Sequence, residues 1–235
     1  KAISNILHIA QTGNAGDIKM TAFSDGYWMS ADGLRLHYRD YGGAASRSPI
    51  LCIPGLTRNS RDFEPLAELL GGKRRIIAVD LRGRAESAYA KDSSTYSPMM
   101  YAHDVDLLLR ELAIKNFVAF GTSLGGLVSM LLATKWQKQM KGIILNDVGP
   151  EIGEKGLERI RSYVGQARSF DTWMHAARAM AEAQGDIYPD YTIEDWLRFA
   201  KRTCKLAGNG RIVLDYDMKI SEPFKQPGGE AGVDL

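Results

Sequence analysis

Apolar positions along this chain follow two rhythms, short unbroken or alternating runs and longer runs spaced by three and four. Tyr27-Trp28-Met29-Ser30 and Leu34-Arg35-Leu36-His37-Tyr38-Arg39 are β-rich runs joined through Ala31-Asp32-Gly33, a hairpin pattern. Pro49-Ile50-Leu51-Cys52-Ile53 is continuously apolar and is cut off by Pro54-Gly55, as suits a strand buried on both faces. Phe63, Leu66, Leu69 and Leu70 share one side of a helix that Gly71-Gly72 ends. Arg75 to Asp80 reads as the next buried strand. Ser97-Pro98 opens a helix, with serine as the cap and proline at the first helical position. That helix runs to about Ala113, with Val105, Leu108, Leu109 and Leu112 inward. Phe117 to Phe120 is a strand, Leu124 to about Lys138 a helix, and Gly142 to Asn146 another strand. Strand and helix alternating at this spacing predict an α/β fold, a mostly parallel twisted sheet with helices on both faces.

After Pro150 the texture changes. Glu154 to Ala167, Asp171 to Gln184 and Thr192 to Leu206 read as amphipathic helices, the last with Thr192 as its cap. Arg211 to Leu214 suits a brief strand, and residues 223–232 are loop-like. A helical block placed after a parallel sheet predicts a lid over the sheet's C-terminal edge, where open α/β folds bind ligands. Residues 1–19 begin without Met, and Met20 opens the next segment, so they read as an extension. The expected organisation is therefore an extension over 1–19, a core over 20–150, a helical lid over 151–222 and a return to the core over 223–235.

Composition narrows the partners. The 235 residues are 45% hydrophobic and 25% charged, and a net charge of +2 makes no electrostatic case for nucleic acid or an anionic membrane. No apolar run approaches the ~20 residues of a membrane span. Cys52 and Cys204 match no metal-ligand spacing, and Cys52 in its apolar run suits a buried free thiol, which fits a cytoplasmic setting. No phosphate-cradling loop, metal constellation or dinucleotide fingerprint appears, so no cofactor is expected. The expected partner is a small molecule.

The chemistry concentrates at Gly121-Thr122-Ser123-Leu124-Gly125-Gly126. This is G-x-S-x-G between a strand pattern and a helix pattern. A serine on such a sharp turn needs small neighbours, because side chains at 121 and 125 would crowd it. The turn also aims the unpartnered N–H groups of the new helix's first turn at whatever the serine attacks.

Four motifs together give a resemblance to the α/β-hydrolase fold superfamily, in particular to small bacterial esterases and enol-lactonases. Gly121 to Gly126 looks like the nucleophile elbow, and Pro54-Gly55-Leu56 looks like the oxyanion loop. Asp80-Leu81-Arg82-Gly83-Arg84-Ala85-Glu86-Ser87 resembles the segment D-x-R-G-x-G-x-S, and Leu145 to Pro150 resembles the strand that ends before the lid. Pro54 stands where the family has histidine, and Ala85 where it has glycine. The resemblance implies a serine hydrolase of an ester, lactone or related carbonyl, with Ser123 as nucleophile and the backbone N–H groups of Leu56 and Leu124 as the oxyanion hole. A C–C bond hydrolase of the same fold and a non-catalytic binding module are the alternatives.

The base and the acid are less evident. His8, His37, His103 and His175 each suit a packing or surface role. The resemblance places the triad histidine and acid on strands beyond Leu235, which reads as a truncation. Asp147 is a secondary candidate for the acid. Asp80 and Arg82 suit loop bracing through bidentate bonds. Trp173, Met174, Trp196, Phe199 and Tyr163 offer an apolar lid lining, or simply lid packing.

Overall fold

The structure, a computed structural model, describes residues 22–70, 72–148, 158 and 162–225. Its centre is a six-stranded sheet. The hairpin strands β1 (Ser24–Met29) and β2 (Arg35–Asp40) pair antiparallel, and β2 pairs antiparallel with β4 (Ile76–Asp80). From there β4, β3 (Ile50–Ile53), β5 (Phe117–Thr122) and β6 (Met140–Asn146) run parallel, in the order β1-β2-β4-β3-β5-β6.

Strand periodicity resolves each unbroken apolar run into two cores. Leu51 and Ile53 of β3 and Ile77 and Val79 of β4 face α2 (Pro98–Glu111) and α3 (Leu124–Trp136), where Val105, Leu108, Leu109, Leu127 and Val128 meet them. Ile50 and Cys52, with Ile76 and Ala78, face the other way, onto Phe63 and onto Ala67 of α1 (Glu64–Leu70). Helices therefore cover both faces, as expected. Ser97 caps α2 by accepting from the Met100 N–H, with Pro98 in the first turn.

Strand β6 differs from β3 although both are rich in isoleucine. Among the described residues it is an edge strand of the sheet, and Ile143 and Ile144 are 40% and 37% exposed. A cleft of about 410 Å³ lies along that edge, lined by Met130, Ala133, Met140 and Ile143 among others.

The C-terminal segment forms its own small core. It contains β7 (Ser169–Phe170), α4 (Trp173–Gln184), α5 (Ile193–Thr203), β8 (Cys204–Leu206) and β9 (Ile212–Leu214). Thr192 and Asp195 close a capping box on α5, each side chain bonding the other's backbone N–H. Ala176, Ala177 and Met180 of α4 pack on Trp196, Phe199 and Ala200 of α5. The strands pair antiparallel in the order β7-β9-β8. Only the strand around Arg211–Leu214 is legible in the sequence. Its partners, two and three residues long, are too short to show a period. Half of the helix expected over Glu154 to Ala167 lies outside the described residues; of the rest, Glu158, Ser162 and Tyr163 are helical, and the chain turns at Val164 and Gly165, short of Ala167. The extension over 1–19 and residues 226–235 also lie outside the described residues.

Candidate active site

Ser123 joins β5 to α3 at φ +50° and ψ −118°, a backbone conformation that L-residues rarely adopt. The turn is held on both sides. Ser123 N–H donates to the Asn146 carbonyl on β6 at 2.9 Å, and the Ser123 carbonyl accepts from Gly126 N–H at 2.8 Å. A Cβ on Gly121 would overlap the Gly125 carbonyl, and a Cβ on Gly125 would overlap the Ile53 carbonyl at the end of β3. The two glycines are therefore required by close approach of backbone. Serine at a helix N-terminus ordinarily turns its hydroxyl back to cap the helix. Here no side-chain capping bond forms, so the Ser123 hydroxyl, on a half-buried residue, is not consumed by its own helix.

The loop after β3 passes directly beside it. A Cβ built on Gly55 would sit 3.7 Å from Ser123 Cβ and 3.6 Å from Arg58 Cγ. Arg58 N–H closes a turn onto the Gly55 carbonyl at 3.1 Å. A trans peptide holds its C=O and N–H on opposite sides, so anchoring the Gly55 oxygen sends the Leu56 N–H the other way. Among the described residues, the N–H groups of Leu56 and Leu124 have no hydrogen-bond acceptor. Both residues bury their side chains, at 8% and 7% exposure, so packing and free amides coexist. An N–H in the first turn of a helix, as at Leu124, has no partner within the helix, and a ligand oxygen can satisfy such donors.

Below this loop lies the segment after β4. Arg82 is wholly buried and makes a bidentate pair with Asp104 of α2, both bonds at 2.7 Å, and two more bonds to Asp32 in the hairpin turn. Burial opposes its charge, but the hydrogen bonds and charges of Asp104 and Asp32 outweigh burial and raise its pKa. Arg84 is also wholly buried. Its Nε donates to the Leu56 carbonyl at 2.9 Å, and its Nη1 to the Arg82 carbonyl at 2.6 Å and to the Tyr101 hydroxyl at 3.0 Å. Ala85 adopts φ +45° where the resembled motif carries glycine, and its N–H bonds the Asp215 carbonyl.

The alpha/beta hydrolase fold family model matches residues 48–208. The chain belongs to the α/β hydrolase fold family. Over 200 residues it is 31% identical to a 3-hydroxybutyrate-oligomer hydrolase of Cupriavidus necator, a match that covers 84% of this chain and 68% of that protein. It is 33% identical over 115 residues to a 2-(acetamidomethylene)succinate hydrolase of Mesorhizobium japonicum, covering 49% of this chain and 41% of the relative. Among solved structures, an alpha/beta hydrolase of Novosphingobium aromaticivorans matches with a TM-score of 0.87 and 56% identity, over 92% of this chain and 75% of that one. Family and relatives alike make this chain a hydrolase.

In this hydrolase, among the described residues, none of His37, His103 and His175 bonds Ser123. His37 is buried between two carboxylates, Nδ1 to Asp80 at 2.6 Å and Nε2 to Asp25 at 2.9 Å. Burial lowers its pKa, but the bonds and charges of Asp80 and Asp25 prevail and raise it. Asp80 also accepts from the Ser60 N–H, so that acid braces the hairpin strand and the loop after β3. His103 and His175 are exposed, and His8 lies outside the described residues. Asp147 is exposed at φ +55° just beyond β6. Among the described residues no three His, Cys, Asp or Glu side chains group to hold a metal ion, and no helix is long and apolar enough to cross a membrane.

Of the apolar residues considered for a lid lining, Trp196 and Phe199 are buried among the C-terminal segment's own residues, Trp173 packs partly against them, and Met174 and Tyr163 are exposed. Sequence reasoning missed the residues that dock this segment on the core. Asn59 Nδ2 and Arg61 Nε both donate to the Arg202 carbonyl at the end of α5, and Arg58 Nη1 donates to the Thr203 hydroxyl. Arg58 also stacks on Phe199 at 4.3 Å and pairs with Asp62, while Arg61 pairs with buried Asp215. Cations at a helix C-terminus are favoured by its dipole. The one hint in the sequence is the density of polar residues right after Leu56.

Proposed function

We propose that this chain carries the nucleophile of a serine hydrolase that cleaves an ester, lactone or related carbonyl in a small molecule. The observation that carries this reading is a helix-opening serine in a strained conformation whose hydroxyl does not cap its helix. In this reading Ser123 Oγ attacks the carbonyl carbon while a base takes its proton. The C–O bond to the leaving group breaks as the tetrahedral intermediate collapses, and water then releases the acid from the acyl-enzyme. The Leu56 and Leu124 amides receive the negative oxygen, each such donor being worth about 2.7–4 kcal/mol in the barrier. Relatives named for hydrolysing 3-hydroxybutyrate oligomers and 2-(acetamidomethylene)succinate support a small-molecule substrate. The C-terminal helical segment serves as the lid, a role supported by the bonds from Arg58, Asn59 and Arg61 that tie it to the loop beside Ser123.

A fluorophosphonate probe tests the nucleophile. Ser123 should label within minutes, and Ser123→Ala should abolish labelling and lower kcat on p-nitrophenyl esters on the order of 10⁶-fold. A wild-type protein that neither labels nor turns over any ester or lactone would overturn the reading.

A further inference from the structure

We propose that Arg84 is a positioning residue of this site, fixing the Leu56 loop and setting a positive charge behind the proposed oxyanion hole. The proposal rests on the reading of Ser123 as nucleophile and Leu56 as oxyanion donor.

The geometry comes first. Leu56 lies between two peptide planes. The plane before it is anchored through the Gly55 carbonyl by Arg58 N–H, and the plane after it through the Leu56 carbonyl by Arg84 Nε at 2.9 Å. With both neighbouring oxygens held, the direction of the Leu56 N–H is set before a substrate arrives. Such preorganisation is what makes a donor effective against charge that develops only in the transition state.

The electrostatics are unusual. Among the described residues, no carboxylate lies within 4.0 Å of the Arg84 guanidinium, and its Nη2 is buried with no hydrogen-bond partner. Its other partners are neutral: two backbone carbonyls and the Tyr101 hydroxyl. The ring of Tyr101 lies 4.8 Å beneath it and that of Tyr96 at 5.7 Å. An unpaired buried charge is costly to a fold, and packing alone would be served better by an apolar side chain. The same uncancelled charge, in a medium of low dielectric and one residue from the Leu56 amide, favours a negative oxygen bound there. The contact with a loop beside the nucleophile, rather than the burial alone, gives this charge a use.

Arg84→Met and Arg84→Lys test this in the full protein, read by fluorophosphonate labelling rate and by kcat and KM on a p-nitrophenyl ester. Arg84→Met should lower kcat at least ten-fold and slow labelling by a similar factor, with KM within two-fold. Arg84→Lys, which restores charge and a donor, should recover several-fold over Met. A kcat for Arg84→Met within two-fold of wild type, a loss that falls on KM, or a Lys variant no better than Met would overturn the assignment. Should the Met variant fail to fold, Arg84→Gln, which keeps a donor without the charge, takes its place under the same criteria: a folded Gln variant with kcat within two-fold of wild type overturns the proposal, and a kcat lowered with KM unchanged and partly recovered by Lys supports it. Wild-type protein that does not label defeats the serine reading itself, and the role of Arg84 with it. Labelled wild type with an equally reactive Met variant defeats only the role of Arg84.

Discussion

Arg82 and Arg84 leave the end of β4 two residues apart, both wholly buried, and meet opposite surroundings. Arg82 is saturated by carboxylates and ties the hairpin turn at Asp32 to α2 at Asp104. Among the described residues Arg84 meets only carbonyls, a hydroxyl and aromatic faces, and it ties the segment after β4 to the loop beside Ser123. Removing a charge from water costs several kcal/mol unless a partner offsets it. The first arginine has that offset inside the fold. The second carries its charge next to a site where a reaction would create a negative one. The pair separates a structural ion pair from a candidate functional charge by surroundings alone, since residue type, burial and position along the chain are nearly the same.

The largest effect should come from the saturated side. Arg82→Met leaves Asp104, 2% exposed, without its cation, and should lower unfolding free energy by about 3–5 kcal/mol in a denaturant titration. Arg82→Met combined with Asp104→Leu should recover most of that loss, because no charge is then stranded. If the double variant is as unstable as the single one, packing rather than charge explains Arg82. Arg84→Met should cost about 1–2 kcal/mol, the value of its hydrogen bonds partly offset by relief of an unpaired charge. A loss as large as that of Arg82→Met would erase the distinction between the two sites.

The smallest effect belongs to the outer arm. Asp32 is 43% exposed, and its hydrogen bond from Arg82 leads the causes that hold its carboxyl below the usual range. Solvent screening limits this arm to about 0.2–1 kcal/mol. A carboxylate with a lowered folded pKa stabilises above its unfolded pKa and loses that contribution as pH falls through the folded value. The stability gap between wild type and Asp32→Asn should therefore be full at neutral pH and close below about pH 3.8. A gap that persists unchanged in acid would show that the bond owes nothing to the carboxylate charge.

Much of this fold is legible in the sequence because its signals are local. The unbroken apolar runs of β3 and β4, the Ser97-Pro98 cap and the Thr192 capping box each act within a few residues, and each element formed within three residues of its expected bounds. The elbow was equally legible, since Gly121 and Gly125 are forced by backbone approaches built into the turn. The roles of Arg58, Asn59, Arg61 and Arg84 were not. The partners that join them to the C-terminal segment or to the Leu56 loop lie 28 to 154 residues away in the chain, and no local pattern marks such a pairing. The run Gly142 to Asn146 reads much like the buried strands. Among the described residues it pairs on one side alone, and Ile143 and Ile144 are exposed there.

The sequence by itself determined the alternation of strands and helices, the caps, and the small residues flanking a strained serine, because each follows from sterics and hydrogen bonds among near neighbours. Tertiary structure alone decided which of Arg82 and Arg84, two residues apart in the chain, would be neutralised, that His37 would be held by Asp80 and Asp25, and that the Leu56 carbonyl would rest on Arg84. The reason is physical: the energy of a buried charge depends on what surrounds it in space, and distant segments supply those surroundings only once the chain has folded.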